Sequence, residues 1–208
     1  MTQQELIENC TLSVLSEECL RQCNTFDCGS SEDEQDLNDF FANDAIPYQQ
    51  KLLGKTYLFR SRQNPKEIVT AFTLANDSIR LTNKLAEEYK EIFLEDTDLR
   101  DKSIKRFPAV LLGRLGTSTK FAHQGYGSAV MDFIKNLFRE SNKTGCRFII
   151  VDALNNADTL RYYERNGFRY LVEDERLEAK YVGIGVGHLP LHTRLMYFDL
   201  LNMVIVEE

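Results

Sequence analysis

The segment at residues 115–130 (LGTSTKFAHQGYGSAV) constrains the fold most, because a strand, a glycine turn and a helix follow one another there without a gap. The apolar run at residues 109–116 has the length of a buried strand. After the turn, apolar residues recur at helical spacing: Val130, Phe133, Ile134, Leu137 and Phe138. Gly125 and Gly127 let the backbone approach a ligand, and the first N–H groups of a helix have no partner within it. This turn therefore predicts a site for an anion such as pyrophosphate, and a tight turn without a ligand is the alternative.

Two familiar phosphate-binding motifs do not describe this turn. It lacks the Lys-Ser/Thr ending of a P-loop, and it lacks the third glycine of the dinucleotide fingerprint, with no well-placed acid later on to hold a ribose. The other glycine-rich stretch, Gly183-x-Gly185-x-Gly187, is not followed by a helical pattern before Pro190. The segment therefore indicates an anion-binding turn of another kind.

The other periodic segments predict an α/β sheet covered by helices, because strands and helices alternate along the chain. Strands are expected at residues 56–60, 68–75, 147–153, 168–172 and 194–200, the first two as an antiparallel pair. A helix is expected at residues 157–165, with Asn166-Gly167 as its C-terminal stop. Residues 77–101 fit either a helix or a long connection.

Residues 32–46 have the pattern of an amphipathic helix. Ser31 and Glu34 form a capping box, and the apolar side chains fall near one face: Leu37, Phe40, Phe41 and Ile46. The helix is expected to end before Pro47 and to pack on the sheet.

Length and composition indicate one globular domain over residues 1–208, since 43% of the residues are hydrophobic and 27% are charged. The net charge of −7 is unevenly distributed, because residues 1–50 hold eleven acidic residues against Arg21 alone. Residues 51–208 therefore carry about +3, which suits an anionic ligand, although such a ligand does not follow from charge alone.

The five cysteines are odd in number and lack paired CxxC spacing, so reduced and mostly buried thiols are expected. His188 and His192 flank Pro190, which disrupts a helical zinc pair, and no metal is assigned. No stretch has the roughly 20 consecutive apolar residues that cross a bilayer, and residues 1–8 have no basic export signal. A cytoplasmic location without membrane contact is therefore expected.

Two segments resemble the GNAT superfamily of acyl-CoA N-acyltransferases. Residues 122–127 (AHQGYG) are similar to the Q/R-x-x-G-x-G/A pyrophosphate loop, with Ala122 where the family usually has Gln or Arg. Residues 156–168 (NADTLRYYERNGF) are similar to N-x-x-A-x-x-x-Y-E-x-x-G-F, with Thr159 in place of the usual Ala. The resemblance covers about residues 55–200 and implies a mixed α/β fold. That fold has a mostly antiparallel central sheet with splayed parallel strands and helices on both faces, and residues 1–54 supply an N-terminal strand and helices.

The resemblance also implies an acetyl-CoA-dependent N-acetyltransferase that transfers acetyl to a primary amine. Tyr163 would be the catalytic acid that donates a proton toward the sulfur, and a core tyrosine with a satisfied hydroxyl is the alternative. Asn156 would bind the pantetheine or only cap the next helix. The other cofactor-binding positions are Leu115, Gly116, Thr117, Ala122, His123, Gln124, Gly125, Tyr126, Gly127 and Ser128. Asp152 and His123 are visible candidates for a base, but an α-amino group with a pKa near ~8 needs no dedicated one.

A narrower likeness is to the branch of toxins that acetylate aminoacyl-tRNA. Residues 26–29 (FDCG), 37–40 (LNDF), 113–116 (GRLG) and 151–153 (VDA) carry it. The acceptor amine is expected on a small molecule, a protein or an aminoacyl-tRNA. A homodimer and an antitoxin-type protein partner are also expected, whereas DNA binding is not. A different class stays open, namely a GNAT-fold protein that binds coenzyme A without turnover and acts as a partner-binding module.

Overall fold

The computed structural model describes residues 1–81, 105–142 and 145–203. Its strands form one seven-stranded sheet in the order β1-β2-β3-β4-β5-β7-β6, mostly antiparallel with one parallel pair. The strands are β1 (Cys10–Val14), β2 (Lys55–Ser61), β3 (Ile68–Arg80), β4 (Arg106–Thr117), β5 (Phe148–Leu154), β6 (Arg169–Tyr170) and β7 (Thr193–Asp199). The predicted mixed α/β fold is confirmed.

Seven α-helices lie in the described residues. They are α1 (Gln3–Asn9), α2 (Glu17–Gln22), α3 (Glu32–Asp39), α4 (Ala45–Gln50), α5 (Tyr126–Glu140), α6 (Ala157–Arg165) and α7 (Glu175–Val182). A π-helical turn joins α3 to α4 at Phe40–Asp44, and 3-10 turns occupy Thr119–Phe121, Val186–His188 and Leu200–Asn202. Within these described ranges, no helix is long and apolar enough to cross a membrane.

The chain divides into two compact units, and a single domain over residues 1–208 stays a prediction. The first unit comprises Met1–Ala75 and Leu111–Asn142, and the second comprises Asn76–Val110 and Lys143–Glu208. Most of the segment at residues 77–101, predicted as helix or connection, lies outside the described residues; its first four residues continue β3.

In the first unit, β1 pairs with β2 and β2 with β3, both antiparallel as predicted for the second pair. The N-terminal helices cover one face of these strands through a buried apolar cluster. The cluster consists of Leu15, Cys19, Phe41, Ala45, Leu58, Ile68 and Ala71. The predicted packing of the 32–46 segment on the sheet is confirmed, because its Phe41 and Ala45 belong to this cluster.

The predicted end of the helix before Pro47 is wrong. The Ser31/Glu34 capping box starts α3 as expected, but α4 continues through Pro47 to Gln50. Pro47 is the third residue of α4, where a backbone N–H has no intrahelical acceptor. The proline ring therefore costs this helix no hydrogen bond.

In the second unit, β7 pairs antiparallel with both β5 and β6. Helix α6 has the predicted bounds, and Gly167 follows it with φ +78°, the left-handed backbone that favours glycine. The strand predicted at residues 168–172 is only two residues long. Leu171 and Val172 are nevertheless buried, because an apolar side chain can enter the core from backbone that does not form a ladder.

Candidate functional site

The loop that precedes α5 takes two left-handed residues in quick succession. Ala122 is extended, His123 has φ +59°, and Gly125 has φ +85° as the N-cap of α5. The Gly125 carbonyl oxygen accepts from the Ala129 N–H at 3.1 Å, which begins the helix. The sharp change of direction between β4 and α5 thus depends on a glycine where the sequence predicted one.

The N-terminus of α5 offers backbone donors to a ligand. Its N-cap Gly125 makes no side-chain capping bond, and the first N–H groups of a helix have no acceptor within it. The helix dipole adds a partial positive charge at the same place. Because these donors need an acceptor and the field favours an anion, the geometry fits a phosphate group.

The remaining contacts of the loop fix its shape. Gln124 Nε2 donates to the Lys120 carbonyl at 2.9 Å, and Lys120 Nζ pairs with Glu67 at 2.9 Å. The Tyr126 ring meets the Phe121 ring edge-on at 5.5 Å, and burial raises the pKa of Tyr126. Ala122 offers no polar side chain, so an anion here would be held by backbone donors.

The end of β4 lies against the FDCG segment at residues 26–29. A Cβ on Gly116 would stand 2.5 Å from Cys28 Sγ and 3.3 Å from the Phe26 ring, so the close approach requires glycine. Asn38 holds the segment by accepting from the Cys28 N–H at 2.7 Å. Leu115 and Thr117 flank Gly116 and are half-buried. The structure thus brings together two segments that the sequence linked only by resemblance.

Tyr163 lies in α6, in the second unit. Its ring is half-buried between Tyr162 and Phe168, with centroid distances of 5.2 and 5.4 Å. No group in the described part of the chain hydrogen-bonds the Tyr163 hydroxyl. Burial raises the pKa of Tyr163, and the nearby Asp152 carboxylate raises it further. The hydroxyl is therefore protonated at physiological pH, and the catalytic role of Tyr163 stays a prediction.

Asn156 is the N-cap of α6. Its Oδ1 accepts from the Thr159 N–H at 2.9 Å, so the capping interpretation describes what the side chain does in this structure. The Nδ2 of Asn156 has no acceptor among the described residues and remains available to a ligand.

The two candidate bases are both exposed. Asp152 points out of β5 opposite Leu195, because alternate residues of a strand face opposite sides. The strand around Asp152 is otherwise mostly buried. His123 is exposed in the loop before α5.

Asn155 has a structural role that was not predicted from the sequence. Its Nδ2 donates to Glu175 Oε1 at 2.9 Å and to the Leu191 carbonyl at 2.8 Å, which fixes the chain between α7 and β7. A cavity of about 750 Å³ lies beside it, lined by residues that include Ile184, His188 and His192. The two adjacent asparagines after the buried strand β5 are the sequence feature from which this role could have been predicted. In the described residues, no group of three His, Cys, Asp or Glu side chains is placed to hold a metal ion.

The chain has a fold like that of the GNAT-fold proteins, as the two motifs implied. No protein-family model matches the chain, and no curated protein matches it in sequence.

Solved structures of toxins match over nearly the whole chain. AtaT complexed with acetyl-methionyl-tRNAfMet has a TM-score of 0.64 and 18% identity, covering 92% of this chain and 95% of that one. A tyrosine-to-phenylalanine mutant of the AtaT toxin, bound to acetyl-CoA and the C-terminus of the antitoxin AtaR, has a TM-score of 0.60 and 18% identity over 93% and 94%. The KacTA–DNA complex has a TM-score of 0.62 and 18% identity over 92% and 94%. At such identities the likeness establishes the fold.

Proposed function

We propose that this chain is an acetyl-CoA-dependent N-acetyltransferase that transfers an acetyl group to a primary amine by direct attack on the thioester. The backbone N–H groups at the uncapped start of α5 carry the proposal, because the first N–H groups of a helix have no acceptor within it. They match the chemistry of a pyrophosphate, and acetyl-CoA contains one. The fold shared with an AtaT mutant bound to acetyl-CoA supports the same cofactor.

The cofactor-binding residues are proposed from both motifs. The backbone of residues 122–128 would hold the pyrophosphate, and the backbone of Leu115, Gly116 and Thr117 would hydrogen-bond the pantetheine arm. A backbone N–H at this strand end is the candidate donor to the thioester carbonyl, where it would stabilise the developing oxyanion. The free Nδ2 of Asn156 is a second candidate for the pantetheine.

Tyr163 is proposed as the general acid. Burial raises the pKa of Tyr163, so its hydroxyl is protonated at physiological pH and can donate to the sulfur as negative charge develops there. The acetyl carbon gains the bond to the amine nitrogen and loses the bond to sulfur, and the phenolic proton passes to the departing sulfur. Tyr163 regains a proton from solvent, and the amine loses one to solvent.

No dedicated base is assigned, because the acceptor supplies its own neutral form. An α-amino group with a pKa near ~8 is partly neutral at physiological pH. Asp152 and His123 are both exposed. The rate of transfer should accordingly rise with pH as the acceptor amine loses its proton.

Aminoacyl-tRNA is the acceptor class that we propose within this function. The complex of AtaT with acetyl-methionyl-tRNAfMet supports it, since that protein shares the fold. In this chain, Arg161 and Arg165 are exposed four residues apart on one face of α6 and have no ion-pair partner in the described ranges. Small-molecule and protein amines are the competing outcomes of the test.

An antitoxin-type protein is the partner that we propose, by analogy with the AtaT mutant bound to the C-terminus of AtaR. The absence of a DNA partner and a homodimeric state stay predictions. Because the KacTA–DNA complex shares the fold, DNA binding should be measured alongside tRNA binding.

The experiment measures binding and turnover separately. Acetyl-CoA at a hundredfold excess over Kd should add about 2.7 kcal/mol to the free energy of unfolding, read as a rise in Tm. Thiol release from acetyl-CoA is then followed with aminoacyl-tRNA, peptides and polyamines as acceptors. A Tm unchanged by acetyl-CoA contradicts the proposed cofactor. A raised Tm with no thiol release on any acceptor favours the partner-binding module instead.

A further inference from the structure

Two cysteine side chains meet at the end of α2, outside the proposed acetyl-CoA site. Cys19 lies in the last turn of α2 and is 6% exposed, whereas Cys23 is the C-cap and is half-buried. Their Sγ atoms are 3.6 Å apart. The Cys23 N–H donates to the Cys19 carbonyl at 2.9 Å, which holds the two residues in this register.

The Arg60 side chain interacts electrostatically with Cys19. Arg60 Nε is buried without a hydrogen-bond partner among the described residues, and the charge of Arg60 favours the thiolate form of Cys19. Burial and the neighbouring Cys23 outweigh this effect and raise the pKa of Cys19 to about 11. Cys19 is therefore a protonated, protected thiol at rest.

Cys23 is reachable from outside the core. It lines a cavity of about 340 Å³, together with polar residues that include Asn24, Asn38 and Asp39. A small polar molecule attached to Cys23 would thus have both space and hydrogen-bonding groups. Cys23 also has extended backbone, with φ −88° and ψ +155°, so its side chain is not held by helical packing.

We propose that Cys19 and Cys23 form a reversible redox dithiol, a modification site that reacts with small-molecule disulfides such as glutathione disulfide. Cys23 reacts first, because attack requires access to the sulfur. Cys19 then completes the reaction, because a sulfur already 3.6 Å away needs only a side-chain rotation to approach the S–S bond length of about 2.05 Å.

The two steps balance. The Cys23 thiolate attacks one sulfur of glutathione disulfide, the S–S bond breaks, and one glutathione leaves as a thiolate that takes up a proton. Cys19 then loses its proton to solvent and attacks Cys23 Sγ, which expels the second glutathione. Two protein thiols are oxidised to one disulfide, and one glutathione disulfide is reduced to two thiols.

The sequence allows a direct readout of the new bond. Arg21 is the only basic residue in the first fifty and lies between the two cysteines, so trypsin separates them. In a full-length Cys10→Ser/Cys28→Ser protein, each of the two resulting peptides, residues 1–21 and 22–51, has a single thiol. After treatment with glutathione disulfide at pH 8, we expect these peptides to be joined by a reducible disulfide, while the buried Cys146 stays a free thiol.

Two further variants in the same background identify the order of the steps. Cys19→Ser should trap one glutathione on Cys23, because the resolving thiol is missing. Cys23→Ser should show neither the trapped glutathione nor the joined peptides. Circular dichroism confirms that each variant is folded before treatment.

Either of two results overturns the proposal. The first is free Cys19 and Cys23 in the folded protein after treatment. The second is modification of Cys146 to the same extent as Cys23, because reactivity would then not depend on the pair. Neither result bears on acetyl transfer, which is measured separately.

Discussion

Tyr163 and Tyr181 are both tyrosines whose pKa is raised by burial, but their hydroxyls differ in what they meet. The Tyr181 hydroxyl accepts from the Arg80 N–H at 3.2 Å, which gives it a structural partner. The Tyr163 hydroxyl has no such partner in the described residues. At the scale of single residues, this difference separates a tyrosine that stabilises the chain from one that is available to a substrate.

Tyr163→Phe tests this difference. We expect the rate of acetyl transfer to fall by about 10² to 10⁴, the usual contribution of a positioned general acid. The Tm increase on adding acetyl-CoA should remain, because the ring still packs against Tyr162 and Phe168. Tyr181→Phe removes a hydroxyl of the same kind and should keep the transfer rate within a few-fold. Equal losses in the two variants would refute a catalytic role for Tyr163.

At the scale of elements, we expect an added negative charge at the start of α5 to weaken the binding of acetyl-CoA. Gly125→Asp places a carboxylate where phosphate is proposed to meet the backbone N–H groups, so acetyl-CoA affinity should fall. The substitution also adds a Cβ 3.0 Å from the Met1 nitrogen at a left-handed φ, which strains the fold. Isothermal titration of the folded variant measures the loss of affinity.

Gly125→Asn is the matched control, because asparagine has the size of aspartate and tolerates left-handed backbone. We expect it to show the same drop in Tm as Gly125→Asp without ligand but a smaller loss of acetyl-CoA affinity. Identical affinities in the two variants would mean that steric strain, rather than charge, explains the effect, and the anion site would lie elsewhere.

Helix α7 is tied to β7 by a buried ion pair. Glu178 is 1% exposed, and it accepts from Arg194 Nε at 2.7 Å and from the Leu195 N–H at 2.5 Å. Glu178→Ala leaves the Arg194 guanidinium buried without its carboxylate, so the free energy of unfolding should fall by about 3–5 kcal/mol. Urea unfolding measures it. Glu17→Ala, which breaks the exposed pair with Arg21, should cost less than about 1 kcal/mol.

At the scale of the whole molecule, the uneven charge predicts how a polyanion would bind. If aminoacyl-tRNA is the acceptor, its affinity should fall steeply with salt, with a log–log slope of about −0.7 to −0.9 for each phosphate neutralised. Filter binding at several salt concentrations measures the slope. Transfer of labelled acetyl to charged but not uncharged tRNA shows that the bound RNA is a substrate.

Arg161→Gln/Arg165→Gln should make this slope shallower by about 1 to 2, because two phosphate contacts would be lost. Arg21→Gln is the control, since Arg21 lies in the acidic first fifty residues and pairs with Glu17. Labelled acetyl on another amine and on no charged tRNA would contradict the tRNA acceptor while leaving the acetyltransferase proposal in place.

Much of the secondary structure followed from the sequence, because its determinants are local. The bounds of α6, the Ser31/Glu34 capping box and the left-handed glycine after α6 each depend on residues within a few positions of one another. The loop before α5 could be predicted for the same reason, since the strand, the glycine and the start of the helix lie within one short segment of the sequence.

The wrong predictions concern where regular elements stop. The strand expected at residues 168–172 is only Arg169–Tyr170. Pro47 was interpreted as a stop, although a π-helical turn allows a new helix to begin just before it. Such choices depend on packing against other parts of the chain, which a local pattern does not contain.

The class of fold and the glycine turn before α5 could be predicted from the sequence. Tertiary structure alone decided that Gly116 packs on Cys28, that the hydroxyl of Tyr163 is unpaired within the described residues, and that Arg194 finds Glu178. The physical reason is how far apart along the chain the interacting residues lie. Caps, turns and periodicity depend on residues that are near one another in the sequence. Burial and the pairing of polar groups, in contrast, are settled by residues that meet only after the chain has folded.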